Sequence, residues 1–479
     1  MKPVKIKDIV NAVGGTLLCG NEKEWINHVS VNSNDIKEHT LFVPLVGERV
    51  DAHAFIEGAI EKGVRAVFTQ KQETKESFMG EVCVIFVPDT KAALQAFASM
   101  YRDLFSIPVI GITGSVGKTT TKEMVAAALS AKYNVLKTYG NQNSQVGLPL
   151  MMFEIEEDTQ IAVIEMGISE EGEMRRLCAV AKPETVIMTN IGVSHIGILG
   201  SKENIMAEKL NITLAMKDRG NLYLNNEDEL LRQIPTKQIK ASVEANEILE
   251  KITCIPYGLH SDAQIYATNI RVIGRQTHFI YVKGQREESI ALSVLGAHNV
   301  LNALAALAVA EQYGVNPTLA KERLQAYEPI EKRGQIVEKK GIVLIDDSYN
   351  ASPDSIKSGI LVLLQLEGVK RRIAVLADVL ELGEASYQCH YEVGEFLAKQ
   401  EIDGSKIDGL ITVGEEAKAI AKAASIIRAD LFVESFDSNA EASCYLKEHM
   451  KAGDAFLVKG SRGMRMDEVV SAVMAELEQ

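Results

Sequence analysis

The segment Gly111–Thr121, GITGSVGKTTT, constrains the fold more than any other part of the chain. It follows the apolar stretch SIPVI and precedes the helix-like stretch KEMVAAALSAKY. A glycine-rich loop between a buried strand and a helix directs backbone N–H groups and the positive helix end at one point, which creates an anion site. Lys118 adds a charge for nucleotide phosphates, and Thr119 adds a hydroxyl that can bind Mg²⁺. The loop predicts a nucleotide-binding α/β domain; the alternative is an ordinary glycine-rich turn.

The residues around this loop extend the same pattern. The segments PVIGITG, TQIAVIEMG and TVIMTNIG read as buried strands, and each is followed by a loop and a helical pattern. Buried strands that alternate with helices are typical of a parallel sheet covered on both faces. We therefore predict a central parallel-sheet domain of the P-loop type over residues 106–315, ending with the apolar helix NVLNALAALAVAEQYG.

Both flanks also alternate strand and helix patterns. Residues 1–105 combine short apolar runs such as TLFVPLVG and VCVIFVP with helix-like segments, which predicts a small N-terminal α/β domain. Residues 316–479 contain the strand patterns KGIVLIDDSY, RRIAVLAD, GLITVG and DAFLVKGS, which predict a C-terminal Rossmann-like, doubly wound domain. The predicted fold class is α/β in three domains, with clefts between them for a site that takes several substrates.

Net charge and composition exclude several classes of function. The formal net charge of −14 leaves no basic stripe for nucleic acid. No segment reaches the roughly 18 apolar residues of a membrane helix. The six cysteines are scattered, without the spacing of a metal site. These features predict a cytoplasmic protein with small-molecule partners, no nucleic acid and no membrane span.

Several motifs resemble those of the Mur ligases, ATP-dependent amide-forming enzymes that build the peptide of bacterial cell-wall precursors. TGSVGKTT is similar to the family's T-G-[ST]-x-G-K-[ST]-[ST] loop, and YGNQNSQVGLP to its G-N-x-N-x-x-x-G-x-P segment. IEMG, TNIGVSHIGILGSKENIMAEK, LGAHNVLNALAA and DDSYNASPDS follow in the family's order. The resemblance covers nearly the whole chain and implies ATP and two Mg²⁺ ions as cofactors.

The resemblance implies two metal positions. Thr119 and Glu165 would hold the Mg²⁺ bound to ATP, and His195 and Lys209 would serve the second ion. Lys209 can ligate a cation only if carbamylation converts its ammonium into a carboxylate. Without the resemblance, Lys209 would be interpreted as a solvated helix lysine, and His195 as either a satisfied loop histidine or a ligand. Lys118, Glu165, His195 and Lys209 are the predicted catalytic residues.

The resemblance also implies a nucleotide site that draws on two domains. The predicted ATP contacts are Gly114, Ser115, Gly117, Lys118, Thr119, Thr120, Asn299, Arg333 and Asp347. Asn299 would meet adenine, although asparagine is also a common helix cap. Arg333 and Asp347 would reach the nucleotide from the third domain, and a surface salt bridge is the alternative for Arg333.

Within the family, DDSYNASPDS, VLADVLELG and VKGSRGMRMDEVV are most similar to the member that adds D-alanyl-D-alanine to UDP-N-acetylmuramoyl-tripeptide. The predicted substrate contacts are Ser33, Asn141, Asn143, Tyr349, Asn350 and Arg462. The guanidinium of Arg462 suits a dipeptide carboxylate. Ser33 and the loop LVGERVDAHAF would contact the uridine diphosphate, with a hairpin turn as the alternative.

This likeness implies a ligase that activates the tripeptide carboxylate as an acyl phosphate and joins it to the dipeptide amine. No side chain stands out as the base for that amine. One chain carries every predicted site, so a monomer is expected. The alternatives are another amide ligase of this fold, such as the tripeptide-forming enzyme or a folylpolyglutamate synthase, a P-loop ATPase without ligase activity, and a non-catalytic binding module.

Overall fold

The computed structural model describes residues 1–72, 82–216, 218, 220–236 and 241–478. Three multi-stranded sheets with helices against them make up the fold, and each sheet falls within one of the three ranges predicted from the sequence. The α/β class is confirmed. Among the described residues, no helix combines the length and apolar character needed to cross a membrane.

The first sheet has five strands in the order β2-β7-β6-β5-β4, with a separate β1-β3 pair beside it. Strands β4 to β7 are parallel, and β2 joins β7 in the antiparallel direction. The elements are β1 Val4–Lys5, α1 Ile6–Val13, β2 Thr16–Cys19, β3 Trp25–Ile26, β4 His28–Ser30, β5 Thr40–Phe42, α2 Ile56–Glu61, β6 Ala66–Thr69, β7 Cys83–Phe86 and α3 Thr90–Arg102.

The central sheet has nine strands in the order β16-β15-β14-β13-β12-β11-β8-β10-β9. Strands β8 to β14 are parallel, and β14 to β16 form an antiparallel end. Its elements are β8 Val109–Thr113, α4 Lys118–Leu129, β9 Val135–Lys137, α5 Gly147–Met152, β10 Ile161–Glu165, α6 Glu173–Ala181, β11 Thr185–Met188, α7 Ile196–Leu199, α8 Lys202–Leu210, β12 Asn221–Asn225, α9 Val243–Leu249, β13 Thr253–Gly258, β14 Ile265–Ile273, β15 Gln276–Lys283, β16 Arg286–Leu292, α10 Ala297–Gln312 and α11 Pro317–Gln325.

The third sheet has six strands in the order β17-β18-β22-β19-β20-β21, parallel except for the β17-β18 hairpin. Its elements are β17 Gln335–Lys339, β18 Ile342–Asp346, α12 Pro353–Leu364, β19 Arg371–Ala377, α13 Ser386–Lys399, β20 Gly409–Val413, α14 Lys418–Ile427, β21 Phe432–Phe436, α15 Asn439–His449, β22 Asp454–Lys459 and α16 Asp467–Glu478.

Buried apolar clusters connect these layers. Helix α3 packs against α5 and α6, which cover one face of the central sheet: the ring of Phe97 lies 4.7 Å from that of Phe153, and the Tyr101 hydroxyl donates to the carbonyl of Ile155 at 2.8 Å. On the opposite face, α4, α10 and α11 share one core, so α11 packs with the central helices although it lies beyond residue 315. Leu295, just before α10, is buried in the core of the third sheet with residues of α12. The central and third sheets are therefore packed together, and the candidate site lies between them.

Candidate active site

A cavity of about 770 Å³ lies between the central and third sheets. It is large enough for a nucleotide and part of a second substrate, since ligand pockets typically span about 300–1,000 Å³. Fifteen of the eighteen predicted site residues line it: Ser115, Gly117, Lys118, Thr119, Thr120, Asn141, Asn143, Glu165, His195, Asn299, Arg333, Asp347, Tyr349, Asn350 and Arg462. Gly114 and Lys209 lie directly behind this wall, and Ser33 lies elsewhere.

The phosphate loop follows β8 and opens into α4, as predicted. Gly117 has a φ of 84° and is the residue from which the helix begins. Gly114 has a φ of 147°, and a Cβ built there would lie 1.9 Å from the hydroxyl oxygen of Thr189. Only glycine therefore fits at residue 114 without rearrangement. The first turn of α4 presents its N–H groups to the cavity, as a helix start does.

Lys118 lies inside the loop. Its ammonium donates to the carbonyls of Gly114 at 2.8 Å and Ser115 at 3.2 Å. Burial lowers the pKa of Lys118 and the nearby guanidinium of Arg333 lowers it further, while Glu165 opposes both effects. A half-buried cation whose hydrogen bonds go to carbonyls of its own loop is suited to an incoming anion.

Glu165 ends β10 and meets the start of α4. Its carboxylate accepts hydrogen bonds from the Thr119 hydroxyl at 2.9 Å and the Asn143 amide at 2.8 Å. Its backbone N–H donates to the hydroxyl of Thr138 at 2.9 Å, and the carbonyl of Thr138 accepts from the buried Lys122 at 2.6 Å. The hydroxyl and carboxylate oxygens predicted to bind the first Mg²⁺ are thus adjacent and held in place from behind.

Lys209 is buried in α8, and its amine donates to the carbonyl of Gly114 at 3.1 Å. It is therefore not the solvated helix lysine that the isolated sequence favoured. Burial lowers the pKa of Lys209 well below its usual value, and the charge of Lys118 lowers it further; Glu208 and Glu173 act in the opposite direction. These shifts favour an uncharged amine, the form that can react with CO₂.

His195 lines the cavity immediately before α7, with a left-handed backbone at φ 62°. Its Nδ1 atom lies 2.7 Å from a carboxylate oxygen of Glu381, without an aligned hydrogen bond. Burial lowers the pKa of His195, whereas Glu381 raises it. The cavity also holds Glu173, whose carboxylate accepts from the N–H of Ser169 at 2.7 Å.

The start of α10 forms the predicted adenine side. The helix is capped by Gly296, so the alternative interpretation of Asn299 as its cap is wrong. Asn299 instead donates to the carbonyl of Leu295 at 2.8 Å and accepts from Asn302 at 3.2 Å. His298 lines the same part of the cavity, and burial lowers its pKa to about 4. At neutral pH this wall therefore presents an uncharged imidazole beside two amides.

The third sheet supplies the opposite wall. The guanidinium of Arg333 stacks on the ring of Tyr349, 4.1 Å from its centroid, and that of Arg462 lies 5.7 Å from the same ring. The contact of Arg333 is thus an aromatic one instead of the surface salt bridge considered from the sequence. Asn350 accepts a hydrogen bond from the backbone N–H of Arg462 at 3.1 Å. Asp347 pairs with the buried Lys459 at 2.6 Å.

The first sheet contributes no predicted residue to this cavity. The carbonyl of Ser33 accepts from the ammonium of Lys62 at 2.8 Å. The loop at residues 45–52 forms a hairpin turn, in which the N–H of Gly47 donates to the carbonyl of Val50 at 2.9 Å. That turn was the alternative interpretation of the loop, and nothing in its geometry assigns a ligand.

Sequence reasoning missed several residues around the site. Lys459 lies within the segment VKGSRGMRMDEVV, but its pairing with Asp347 depends on the juxtaposition of β18 and β22. Lys122 and Glu173 carry no motif of their own. Among the described residues, no group of three or more His, Cys, Asp or Glu side chains could hold a metal ion. A cation beside Thr119 and Glu165 would therefore need further oxygen ligands from substrate and water, as Mg²⁺ commonly takes.

Three models of the Mur ligase family match successive parts of the chain. The catalytic domain model matches residues 25–102, the middle domain model residues 112–310, and the model described as the glutamate ligase domain residues 332–462. Together they match more than half of the sequence and follow the order of the three sheets.

Individual relatives match over almost the entire length. The chain is 36% identical over 467 residues to UDP-N-acetylmuramoyl-tripeptide--D-alanyl-D-alanine ligase of Bacillus subtilis, a match that covers 97% of each protein. The crystal structure of MurF from Acinetobacter baumannii superposes with a TM-score of 0.88, at 27% identity and 100% coverage of both chains. MurF ligase from Thermotoga maritima in complex with ADP gives a TM-score of 0.81, at 28% identity, covering 94% of this chain and 98% of that one. Because the phosphate loop, the order of the three sheets and these full-length matches all agree, the chain belongs to the Mur ligase family.

Proposed function

We propose that this protein is an ATP-dependent ligase that adds D-alanyl-D-alanine to UDP-N-acetylmuramoyl-tripeptide in peptidoglycan synthesis. The observation that carries the proposal is the single cavity in which the phosphate loop of the central sheet faces Arg333, Asp347 and Tyr349 of the third sheet. The names of the relatives, each matched over nearly its whole length, support the choice of substrates.

Residues on both walls of the cavity would contact ATP, each wall at a different part of the nucleotide. Lys118 and the start of α4 would neutralise the phosphates, and Asn299, at the start of α10, would contact adenine. Arg333 and Asp347 would approach the phosphate and ribose from the third sheet. The segment at residues 326–334 joins the two sheets, so a change in its backbone would close one wall on the other.

The donor groups fit a hard divalent cation. Thr119 and Glu165 offer oxygen ligands 2.9 Å apart, the ligand type that Mg²⁺ prefers. His195 and a carbamylated Lys209 would hold the second ion. The buried amine of Lys209 fits this role, because an uncharged amine adds CO₂ to give a carbamate and release one proton. When bound, the ions would supply positive charge beside the transferring phosphoryl group.

Catalysis of this type depends on position and charge. The γ-phosphoryl group of ATP would move to the tripeptide carboxylate, ADP would leave, and the dipeptide amine would then displace phosphate to form the amide. Lys118 and Arg333 bring positive charge to anionic groups that repel each other in water. Closure of the two walls on the substrates would strengthen these interactions by excluding solvent.

The remaining predicted contacts belong to the acceptor and the dipeptide. Asn141 and Asn143 would meet the peptide of the nucleotide substrate near Glu165, and Ser33 its uridine diphosphate. Tyr349, Asn350 and Arg462 would hold the dipeptide, with the Arg462 fork on its carboxylate. We further propose three domains, divided near residue 105 and after α11, and a protein that acts in the cytoplasm. We also propose a monomer, since one chain supplies both walls of the cavity.

The test measures phosphate release from ATP and Mg²⁺ with the nucleotide tripeptide, with and without D-alanyl-D-alanine, followed by mass detection of the pentapeptide. We expect dipeptide-dependent release and pentapeptide in the parent, loss of both in Lys118→Met, and no change in the matched control Lys447→Met on the exposed end of α15. Phosphate release that depends on neither the nucleotide tripeptide nor the dipeptide would favour a P-loop ATPase. Release only with a different acceptor or amine would favour another ligase of this fold.

A further inference from the structure

Glu381 contacts His195 across the boundary between the third and central sheets. The carboxylate lies in the loop after β19, and one of its oxygens is 2.7 Å from Nδ1 of His195. Nδ1 is shielded from solvent, whereas the Glu381 side chain is 60% exposed. A contact with a largely exposed carboxylate normally contributes little to stability, so stability alone does not explain it.

Both partners have unusual backbone conformations. His195 has a φ of 62° and Glu381 a φ of 68°, in the left-handed region that side chains with a Cβ rarely adopt. The two loops also approach closely, since a Cβ at Gly197 would lie 3.0 Å from the nitrogen of Gly383. Strained residues concentrate at functional sites, and here two of them face each other.

The loop that carries Glu381 is tied down by buried polar contacts. The N–H of Val379 donates to Nε2 of the buried His390 at 2.9 Å. The N–H of Leu380 donates to the hydroxyl of Ser461 at 2.8 Å, and the N–H of Ser461 donates to the carbonyl of Asp378 at 3.1 Å. These bonds hold the backbone on the N-terminal side of Glu381, so the third sheet fixes the backbone from which its carboxylate extends.

We propose that Glu381 is a positioning residue that orients the imidazole of His195 toward the second cation. A carboxylate beside Nδ1 holds the ring proton there and leaves the Nε2 lone pair for a metal, the arrangement common around metal-binding histidines. The inference rests on the proposed function, which assigns His195 to that cation. Because Glu381 comes from the third sheet, the second cation site is complete only when that sheet is docked on the central one.

An incidental contact between Glu381 and His195 would require neither the left-handed backbone of both residues nor the hydrogen bonds that hold the loop before Glu381. Lys209, Lys118 and Glu173 also act electrostatically on His195, but none of them fixes the direction of its ring through Nδ1. In the structure the N–H of Nδ1 is not aligned with Glu381, so we expect the ring to turn into alignment when the cation binds. The carboxylate then acts on the metal only through His195.

The test measures binding of Mn²⁺ by electron paramagnetic resonance, with a non-hydrolysable ATP analogue and nucleotide tripeptide in bicarbonate buffer. Glu381→Gln keeps the size of the side chain and removes its charge, and Glu381→Gly also relieves the left-handed backbone. We expect both variants to weaken the second Mn²⁺ site about 10- to 100-fold while nucleotide affinity without metal stays unchanged. Glu384→Gln, an exposed glutamate of the same loop, is the matched control and should behave like the parent.

His195→Ala separates this inference from the proposed function. If His195→Ala loses the second Mn²⁺ site while Glu381→Gln binds it like the parent, the role of Glu381 is overturned and the assignment of His195 stands. If neither variant changes Mn²⁺ binding, both the role of Glu381 and the assignment of His195 are overturned. Melting temperatures of Glu381→Gln and Glu381→Gly that are no lower than that of the parent would assign any loss of binding to the site.

Discussion

Replacing Gly114 with alanine tests whether the phosphate loop depends on its contact with Thr189. The new Cβ would lie 1.9 Å from the Thr189 hydroxyl, closer than the 3.0 Å that real Cβ contacts respect. That hydroxyl is buried and donates to the carbonyl of Val116 at 2.5 Å, so it must rotate and lose its bond. The lost bond costs about 1–3 kcal/mol. The left-handed backbone adds about 1–2 kcal/mol.

The total is roughly 2–5 kcal/mol. At about 2–4 °C per kcal/mol for a domain of this size, the central transition in calorimetry should fall by on the order of 10 °C. ADP binding, measured by titration calorimetry, should weaken as well, since the loop no longer keeps its shape. Gly63→Ala is the matched control: its φ is 86° with nothing within 4 Å of the new Cβ, so it has only the backbone cost.

A double-mutant cycle with Thr189→Ala measures how much of the cost of Gly114→Ala comes from its contact with the Thr189 hydroxyl. Thr189→Ala alone loses the bond to Val116. In the double variant the hydroxyl is already absent, and the new Cβ keeps only the 3.1 Å contacts with the nitrogen of Asn190 and the Cβ at position 189. The pair should therefore be milder than the sum of the single changes by about 1–3 kcal/mol. Strict additivity, or a Gly114→Ala variant as stable as Gly63→Ala, would refute the steric explanation.

Three further predictions concern ionisable side chains inside the protein. The pKa of His298 is about 4 in the folded protein and 6.5 in the unfolded chain. Between these two pH values the unfolded state binds more protons than the folded state. The free energy of unfolding therefore falls by about 3 kcal/mol as the pH drops from 6.5 to 4. His298→Gln should flatten that decline in melting temperature from pH 7 to pH 4, and an equal slope would contradict it. Lys209→Met should abolish dipeptide-dependent phosphate release. In buffer free of CO₂ and bicarbonate, where Lys209 stays a free amine, the same change should remove part of the rise in melting temperature from pH 7 to 9, since the folded pKa lies well below 10.5 and the unfolded chain binds the extra proton. Asp347→Asn leaves the buried Lys459 without its carboxylate and should lower stability by roughly 3 kcal/mol in calorimetry; Asp467→Asn, which breaks an exposed ion pair, should stay within about 1 kcal/mol, and equal losses would show that burial is not the cause.

Local sequence predicted the elements that carry the site. The strand before Gly114 and the helix from Lys118 lie where the pattern places them, as do the strand ending at Glu165 and the helix containing Asn299. These predictions worked because they depend on backbone period, glycine placement and strand ends, which act over a few residues. The antiparallel end of the central sheet, β14 to β16, was not predicted, because its pairing joins segments without a local signal of neighbour or direction.

Sequence by itself determined the phosphate loop, the alternation of strands and helices, and, through its motifs, the residues that line the cavity. The tertiary structure alone decided how those residues meet. Lys209 reaches Gly114 from 95 positions away, and Lys459 reaches Asp347 from 112. His195 contacts Glu381 only because two loops of different sheets approach closely. Such pairs depend on sheet order and on the packing of one sheet against another, and both are set by burial of the cores and not by any short stretch of chain.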